Sequence, residues 1–283
     1  MAPITRRALL LGGLGTVVTA AAGNYAFQRT ATQVPRGVPN VAPGPLDGGT
    51  FVSAHRGGLT TGWSVAYPPG SSAGDRLPVL IVLHGRGGNH RSAFDGGLFL
   101  QRYLAEGIER GLRPFAIASV DGGDQSYWHP RRDGDTSAML LDEFVPLLAR
   151  RGLNTTRPSL LGWSMGGYGA LYLATRLGAG HLGAVVAESP AVWHSAAESA
   201  AGAFDDAADF DQHAIFGHTD ALTGVALRID CGSSDGFAPV TRDVRAAISP
   251  TPAGGIESGG HDEGYWRSQA RAQLAFVSEH LGT

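Results

Sequence analysis

Between residues 78 and 83 the chain carries an unbroken apolar run, Pro78-Val79-Leu80-Ile81-Val82-Leu83, with no polar position to mark a solvent face. A strand of that composition needs cover on both sides, the setting of a central parallel strand. Similar runs recur at 115–120, 159–161, 182–187 and 226–231. Stretches of helical period lie between them, such as Met139, Leu140, Phe144, Leu147 and Leu148, or Trp266, Ala270, Leu274, Val277 and Leu281. Strand and helix alternate, which predicts an α/β fold with a doubly wound, mostly parallel sheet and helices on both faces. Two β-like stretches near 50–55 and 63–67, joined through Gly57-Gly58 and closed by Pro68-Pro69-Gly70, suggest an antiparallel entry to that sheet.

The pattern is different before residue 50. Residues 34–49 are rich in Pro and Gly and show neither hydrophobic period, so they read as a linker, leaving 50–283 as one catalytic domain. Residues 1–33 read as a targeting signal and the start of that linker. Thr5-Arg6-Arg7 precedes an apolar stretch from Ala8 to Ala22, too short for a comfortable membrane span but suited to a signal core. The paired arginines ahead of Leu9-Leu10 resemble a twin-arginine export signal, and Ala20-Ala21-Ala22 offers a cleavage site. The expectation is an exported protein, extracellular, periplasmic or in the cell envelope. An uncleaved segment would tether it to the membrane.

Composition narrows the function classes. Only 17% of residues are charged, the formal net charge is -3 and no basic run tracks phosphates, so nucleic acid is not an expected partner. One cysteine, Cys231, excludes an intrachain disulfide framework and any multi-cysteine zinc site, and its place in an apolar run suits a small buried hydrophobe. There is no H-E-x-x-H and no G-x-G-x-x-G after a strand, so neither metal nor nucleotide cofactor is expected.

The nucleophile-elbow pattern G-x-S-x-G occurs at Ser164, but among 42 glycines a match alone is weak, and the pattern recurs at Ser72 and Ser234. Context separates them. The chemistry needs a strand ending in a sharp turn and a helix starting directly behind the serine. Ser72 lies in a Pro/Gly/Ser loop with no helix after it. Ser234 follows a strand but leaves too little chain for an acid and then a histidine. Ser164 follows Leu160-Leu161, is flanked by Gly162, Gly166 and Gly167, and precedes a helical stretch at 168–177.

A serine hydroxyl needs a histidine to take its proton and a carboxylate to hold the imidazole, in the chain order Ser, acid, His. Only His261 and His280 lie far enough downstream. His280 is three residues from the chain's end and reads as a surface histidine, whereas His261 sits in the loop Gly259-Gly260-His261-Asp262 ahead of the last helix. Asp235, in the loop after the run ending at Cys231, is the expected acid, with Glu188 a weaker competitor. Asp205, Asp206, Asp209 and Asp211 read as a solvated face. The tetrahedral intermediate needs two N–H donors. Met165, after the nucleophile, and Arg86, in the loop Leu83-His84-Gly85-Arg86-Gly87-Gly88, are the candidates, with His84 bracing the turn.

With these residues in place, the chain over roughly 50–283 resembles the esterase D-like branch of the α/β-hydrolases. That branch includes S-formylglutathione hydrolases, feruloyl-esterase-like enzymes and the exported mycolyltransferases. The likeness rests on Leu83-His84-Gly85, Gly162-Trp163-Ser164-Met165-Gly166-Gly167, Asp230-Cys231-Gly232 leading to Asp235, and His261 followed five residues later by Trp266. It implies hydrolysis or transfer of acyl esters, of small-molecule or lipid type, without a cofactor. His84 stands where mycolyltransferases typically have Asp. Asp121, Trp128, His129, Trp163 and Trp193 are candidates to line an acyl or sugar pocket, with core packing as the alternative for the tryptophans. The expected activity is ester hydrolysis through an acyl-serine. Acyl transfer to a sugar or lipid hydroxyl and a non-catalytic binding role are the alternatives.

Overall fold

In the computed structural model, which describes residues 34–281, the apolar runs form the middle of an eight-stranded sheet. The antiparallel pair β1 (Leu46–Ser53) and β2 (Leu59–Ala66) leads to β3 (Pro78–Leu83), α1 (Leu100–Glu109) and β4 (Ala116–Val120). A small hairpin follows, β5 (Pro130–Arg131) with β6 (Gly134–Asp135). Next, α2 (Thr136–Ala138), a π-helical stretch Met139–Phe144 and α3 (Val145–Arg150) run on from one another. Then come β7 (Asn154–Trp163), α4 (Met165–Leu177), β8 (Ala184–Glu188), α5 (Ala207–His213), β9 (Ala226–Gly232), α6 (Ala238–Ala247), β10 (Ile256–Glu257) and α7 (Glu263–Glu279).

The strand order is β1-β2-β4-β3-β7-β8-β9-β10, with β2 antiparallel to both neighbours and every pair from β4 to β10 parallel. This is the α/β-hydrolase-type architecture that the alternation predicted. From β3 the chain crosses to β4 on one side and returns to β7 on the other, so the strand order reverses at β3. Loops leaving the carboxyl ends of β3 and β7 part there and open a crevice.

Side chains alternate across the sheet as a strand's period of two requires. Val79, Ile81 and Leu83 join Tyr168, Leu171, Phe144 and Leu148 in one core. Leu80 and Val82 join Leu100, Leu104, Ala270, Leu274 and Val277 of α1 and α7 in the other. Burial on both faces explains why β3 carries no polar alternation.

The segment 34–49 is not a linker. Leu46–Gly49 already belong to β1, Val38 is buried, and the Val41 and Gly37 carbonyls accept from Arg102 (3.0 Å) and Tyr103 (3.3 Å) on α1. A Cβ on Gly44 would stand 2.2 Å from the Tyr67 carbonyl oxygen, so glycine here permits close approach rather than looseness. The export signal read at residues 1–33 lies outside the described residues.

Candidate active site

Ser164 follows β7 directly and stands ahead of α4 with φ 55° and ψ -119°, a strained conformation that lifts the side chain out of the line of the strand. The turn closes only because its neighbours lack side chains. A Cβ on Gly162 would meet the Gly166 carbonyl oxygen at 2.1 Å, and one on Gly166 would meet that of Leu83 at 2.0 Å. The Ser164 N–H donates to the Glu188 carbonyl of β8, and its own carbonyl accepts from Tyr168 and Ala191, so the elbow is pinned on both sides. Neither other match has this setting: Ser72 is exposed in a turn, and Ser234 is exposed in the loop after β9.

Asp235 lies in that loop, where its Oδ1 accepts from the Phe237 N–H (2.8 Å) at the entry to α6. Its Oδ2 is 2.8 Å from His261 Nδ1, and His261 Nε2 is 2.9 Å from Ser164 Oγ. His261 is held in place by its neighbour, because Asp262 caps α7 through the Tyr265 N–H (3.0 Å). Burial pushes the Asp235 pKa up. Hydrogen bonds from His261, the Phe237 N–H and Ser189 outweigh that, and the net value is lowered. An ionised Asp235 can only accept, so the proton of His261 belongs on Nδ1, leaving Nε2 free to accept from the serine hydroxyl. Ser189 also accepts from Trp266 Nε1 (3.2 Å), and the Trp266 ring stands edge-on to His261 at 5.1 Å.

The loop after β3 is braced by His84, which is fully buried. Its Nδ1 is 2.8 Å from the Gly85 carbonyl, which can only accept, and its Nε2 is 2.9 Å from the Gly122 N–H, which can only donate. Those two partners specify the neutral tautomer protonated on Nδ1. Burial, the largest influence, lowers its pKa in the same sense. The loop is further fixed by the Gly87 N–H on the Asp124 carbonyl (2.9 Å). Arg86 lies in this braced loop, and Met165 is the first residue of α4, where N–H groups have no acceptor within the helix.

Beneath the elbow, Glu188 and Asp230 are register neighbours on β8 and β9 and both are buried. Asp230 holds Arg228 (2.7 Å) and Gln273 (3.1 Å). Desolvation raises both carboxyl pKa values, and Asp230 adds to the rise of Glu188, whose oxygens have no partner in the hydrogen-bond geometry. Of the two carboxyls Glu188 is shifted further, and among the described residues no histidine is hydrogen-bonded to it, so it does not compete with Asp235 for His261. Cys231 is buried, and desolvation pushes its thiol up to about 12.

Four of the five residues considered for substrate contact are committed elsewhere. Asp121 accepts from the His90 N–H (2.6 Å) and the Gly62 N–H (3.0 Å), tying the loops together. Trp128 is fully buried, with Nε1 on the His84 carbonyl (3.2 Å). His129 is fully buried on the Ala203 carbonyl (3.1 Å), and Trp163 packs in the α1/α7 core against Trp266. Trp193 alone is half-exposed near the site. It belongs to an aromatic row that sequence reasoning missed. Phe237 lies 5.4 Å from the His261 ring, Trp193 5.7 Å from Phe237, and Phe204 6.1 Å from Trp193. Beside the loop after β4 a cavity of about 370 Å³ is lined mostly by polar and charged residues, Arg56, Gly122 to Ser126, Arg131, Asp133 and Thr136 among them. The acidic cluster is a solvated face only in part, since Asp206 and Asp211 are exposed but Asp205 and Asp209 are half-buried. Asp205 pairs with Arg131 (2.9 Å), Asp206 caps α5, and Asp209 turns toward His129 and His213.

No curated protein gives a significant match to this sequence. Among solved structures, a ferulic acid esterase superposes with a TM-score of 0.72 at 19% identity, over 84% of this chain and 98% of its own. An S-formylglutathione hydrolase from Agrobacterium tumefaciens gives 0.67 at 19% over 86% and 98%. A ferulic acid esterase from Anaeromyces mucronatus, solved with ferulic acid, gives 0.63 at 17% over 88% and 96%. At these identities the likeness establishes the fold. The family model described as "Putative esterase" matches residues 58–277, spanning both the elbow and the His261 loop, and the chain belongs to the Esterase family.

Proposed function

We propose that this chain is an exported serine esterase that cleaves carboxylic esters through an acyl-Ser164 intermediate. The observation that carries the reading is the continuous line from Asp235 through His261 to Ser164 Oγ, at 2.8 and 2.9 Å, on a strained elbow. In the first step Ser164 Oγ attacks the ester carbonyl while His261 Nε2 takes its proton, and the ionised Asp235 stabilises the imidazolium. The N–H groups of Met165 and Arg86 receive the developing oxyanion. His261 then passes the proton to the leaving alkoxide. A water repeats the sequence on the acyl-serine and releases the acid.

The half-exposed row Phe237, Trp193 and Phe204 beside His261 offers an apolar, aromatic surface for a short or medium acyl group or an aromatic acid. One ferulic acid esterase of the same fold was solved in complex with an acid of the latter kind. The polar cavity flanked by Arg56 and Arg131 suits a hydrophilic alcohol. A chromogenic ester series run with excess glycerol or trehalose tests the reaction class. Free acid should be the main product, and predominant acylation of the acceptor would make the enzyme an acyltransferase. Export is read from Arg6-Arg7 and the apolar stretch behind them. Replacing both arginines with Lys should hold the protein inside the cell, and unchanged secretion would refute twin-arginine recognition.

A further inference from the structure

Behind the aromatic row lies a second, separate gathering of chemistry-bearing side chains. His129, from the loop after β4, meets Asp209 and His213 of α5, and one ligating atom from each lies within 4.8 Å of the others. His129 is fully buried. Its Nε2 faces the Ala203 carbonyl, which can only accept, so the ring proton sits there and Nδ1 presents a bare lone pair. That lone pair has no hydrogen-bond partner, and it lies 3.9 Å from Asp209 Oδ1. A buried acceptor left without a donor is costly. A cation would satisfy it.

The other two groups are arranged to serve the same centre. Asp209 divides its carboxylate: Oδ2 accepts from the Asp205 N–H (2.8 Å) and faces Arg131 at 3.9 Å, while Oδ1 turns to the histidines. Arg131 itself is engaged by Asp205 (2.9 Å), which tempers its repulsion of an ion. His213 Nδ1 is 2.8 Å from Asp209 Oδ1 and 2.9 Å from the Asp209 main-chain carbonyl, so without an ion it carries the ring proton. Ligands about 2 Å from a tetrahedral zinc stand roughly 3.3 Å apart, and the three atoms, at 2.8 and 3.9 Å for the two His–Asp pairs and within 4.8 Å overall, need draw in only slightly around an ion. The hydrogen bond from His129 to Ala203 is the outer contact that orients a ligating imidazole. His213 also lines a small cavity of about 40 Å³ with Tyr172, Gln212 and His218, large enough to hold a water.

We propose that His129, Asp209 and His213 form a structural site for a divalent transition metal, zinc by its two imidazoles and one carboxylate, which clamps α5 to the loop after β4. Binding replaces the Nδ1 proton of His213, which leaves to solvent. The clamp stiffens the wall carrying Phe204, whose ring lies 5.0 Å from His129. It has no part in the bond-making chemistry.

The test uses the full chain, stripped with chelator and titrated with Zn²⁺ by calorimetry, beside His129→Gln and His213→Gln. One ion per chain should bind the wild type and raise its Tm. Each variant should bind more than about 10-fold more weakly, since removing even an outer partner of a metal ligand costs that much. Retained esterase activity shows that a variant is folded. No binding by the wild type overturns the site, and so does equal affinity in wild type and variants, because the ion would then be held elsewhere, by exposed histidines such as His194 or His218. Should the variants fail to fold, Co²⁺ in the wild type decides. Strong visible d–d absorption displaced by Zn²⁺ supports a tetrahedral site, and only the pale octahedral spectrum refutes it.

Discussion

Two pairs of histidine and aspartate lie on opposite sides of one aromatic row, and they differ in what occupies the second ring nitrogen. In His261 the Nδ1 proton is taken by Asp235, and Nε2 reaches a hydroxyl in an open crevice. In His129 the proton is taken by a main-chain carbonyl, and the bare nitrogen is sealed inside the protein toward Asp209. The first arrangement can move a proton between solvent-accessible groups. The second can only hold something. An imidazole beside a carboxylate therefore has no fixed role, and the partner on its other nitrogen together with its access to solvent decides between base and ligand.

The sharpest way to break this contrast is to make the same change on each side. Asp235→Asn should lower kcat roughly 10⁴-fold, because the amide disturbs the Nδ1 tautomer that leaves Nε2 free to accept. Asp209→Asn should leave kcat within a few-fold while weakening Zn²⁺ binding. Steady-state kinetics on one chromogenic ester reads both. Comparable losses of kcat in the two variants would erase the distinction.

Much of the site could be read from the chain because its demands are local. The elbow needs Gly162 and Gly166 for main-chain approach, Ser164 and Asp235 follow strands whose mainly apolar runs are visible, and His261 stands just ahead of a helix of clear period. The two-residue β10 carries too little pattern to see. The segment 34–49 misled for a related reason: Val38 and Gly44 pack against α1 and the end of β2 without any period. The aromatic row beside His261 was illegible because it depends on which way loops turn. Tyr127 and Trp128 both adopt positive φ, 52° and 59°, and Trp128 swings inward onto His84, while Phe204 and Phe237 arrive beside Trp193 from distant loops. Nothing in the spacing of single aromatics specifies such a row. Within the acidic run at 205–211, Asp206 and Asp211 are exposed as expected, but the inward turn of Asp205 and Asp209 was illegible because their partners Arg131 and His129 lie some 75 residues earlier.

A smaller effect concerns the third carboxylate in the neighbourhood, which does neither job. Glu188 sits under the elbow with its pKa raised by burial and by Asp230. A carboxyl whose folded pKa is raised binds its proton more tightly in the folded state. Its contribution to stability is complete below the unfolded value of about 4.3 and is lost as pH rises toward the folded value, by up to about 1.4 kcal/mol per pH unit. Glu188→Gln imitates the protonated form at every pH. Urea unfolding between about pH 5 and pH 8 should then show a flatter pH dependence for the variant than for the wild type. Identical slopes would mean that Glu188 is ionised in the fold.

The central claim is that Ser164 alone is the nucleophile, and an alkyl-phosphonate ester followed by peptide mass mapping tests it most directly. One adduct per chain should form on the peptide bearing Ser164, persist in Ser72→Ala and Ser234→Ala, and vanish in Ser164→Ala. An adduct on another residue, or labelling that survives in Ser164→Ala, would contradict the account.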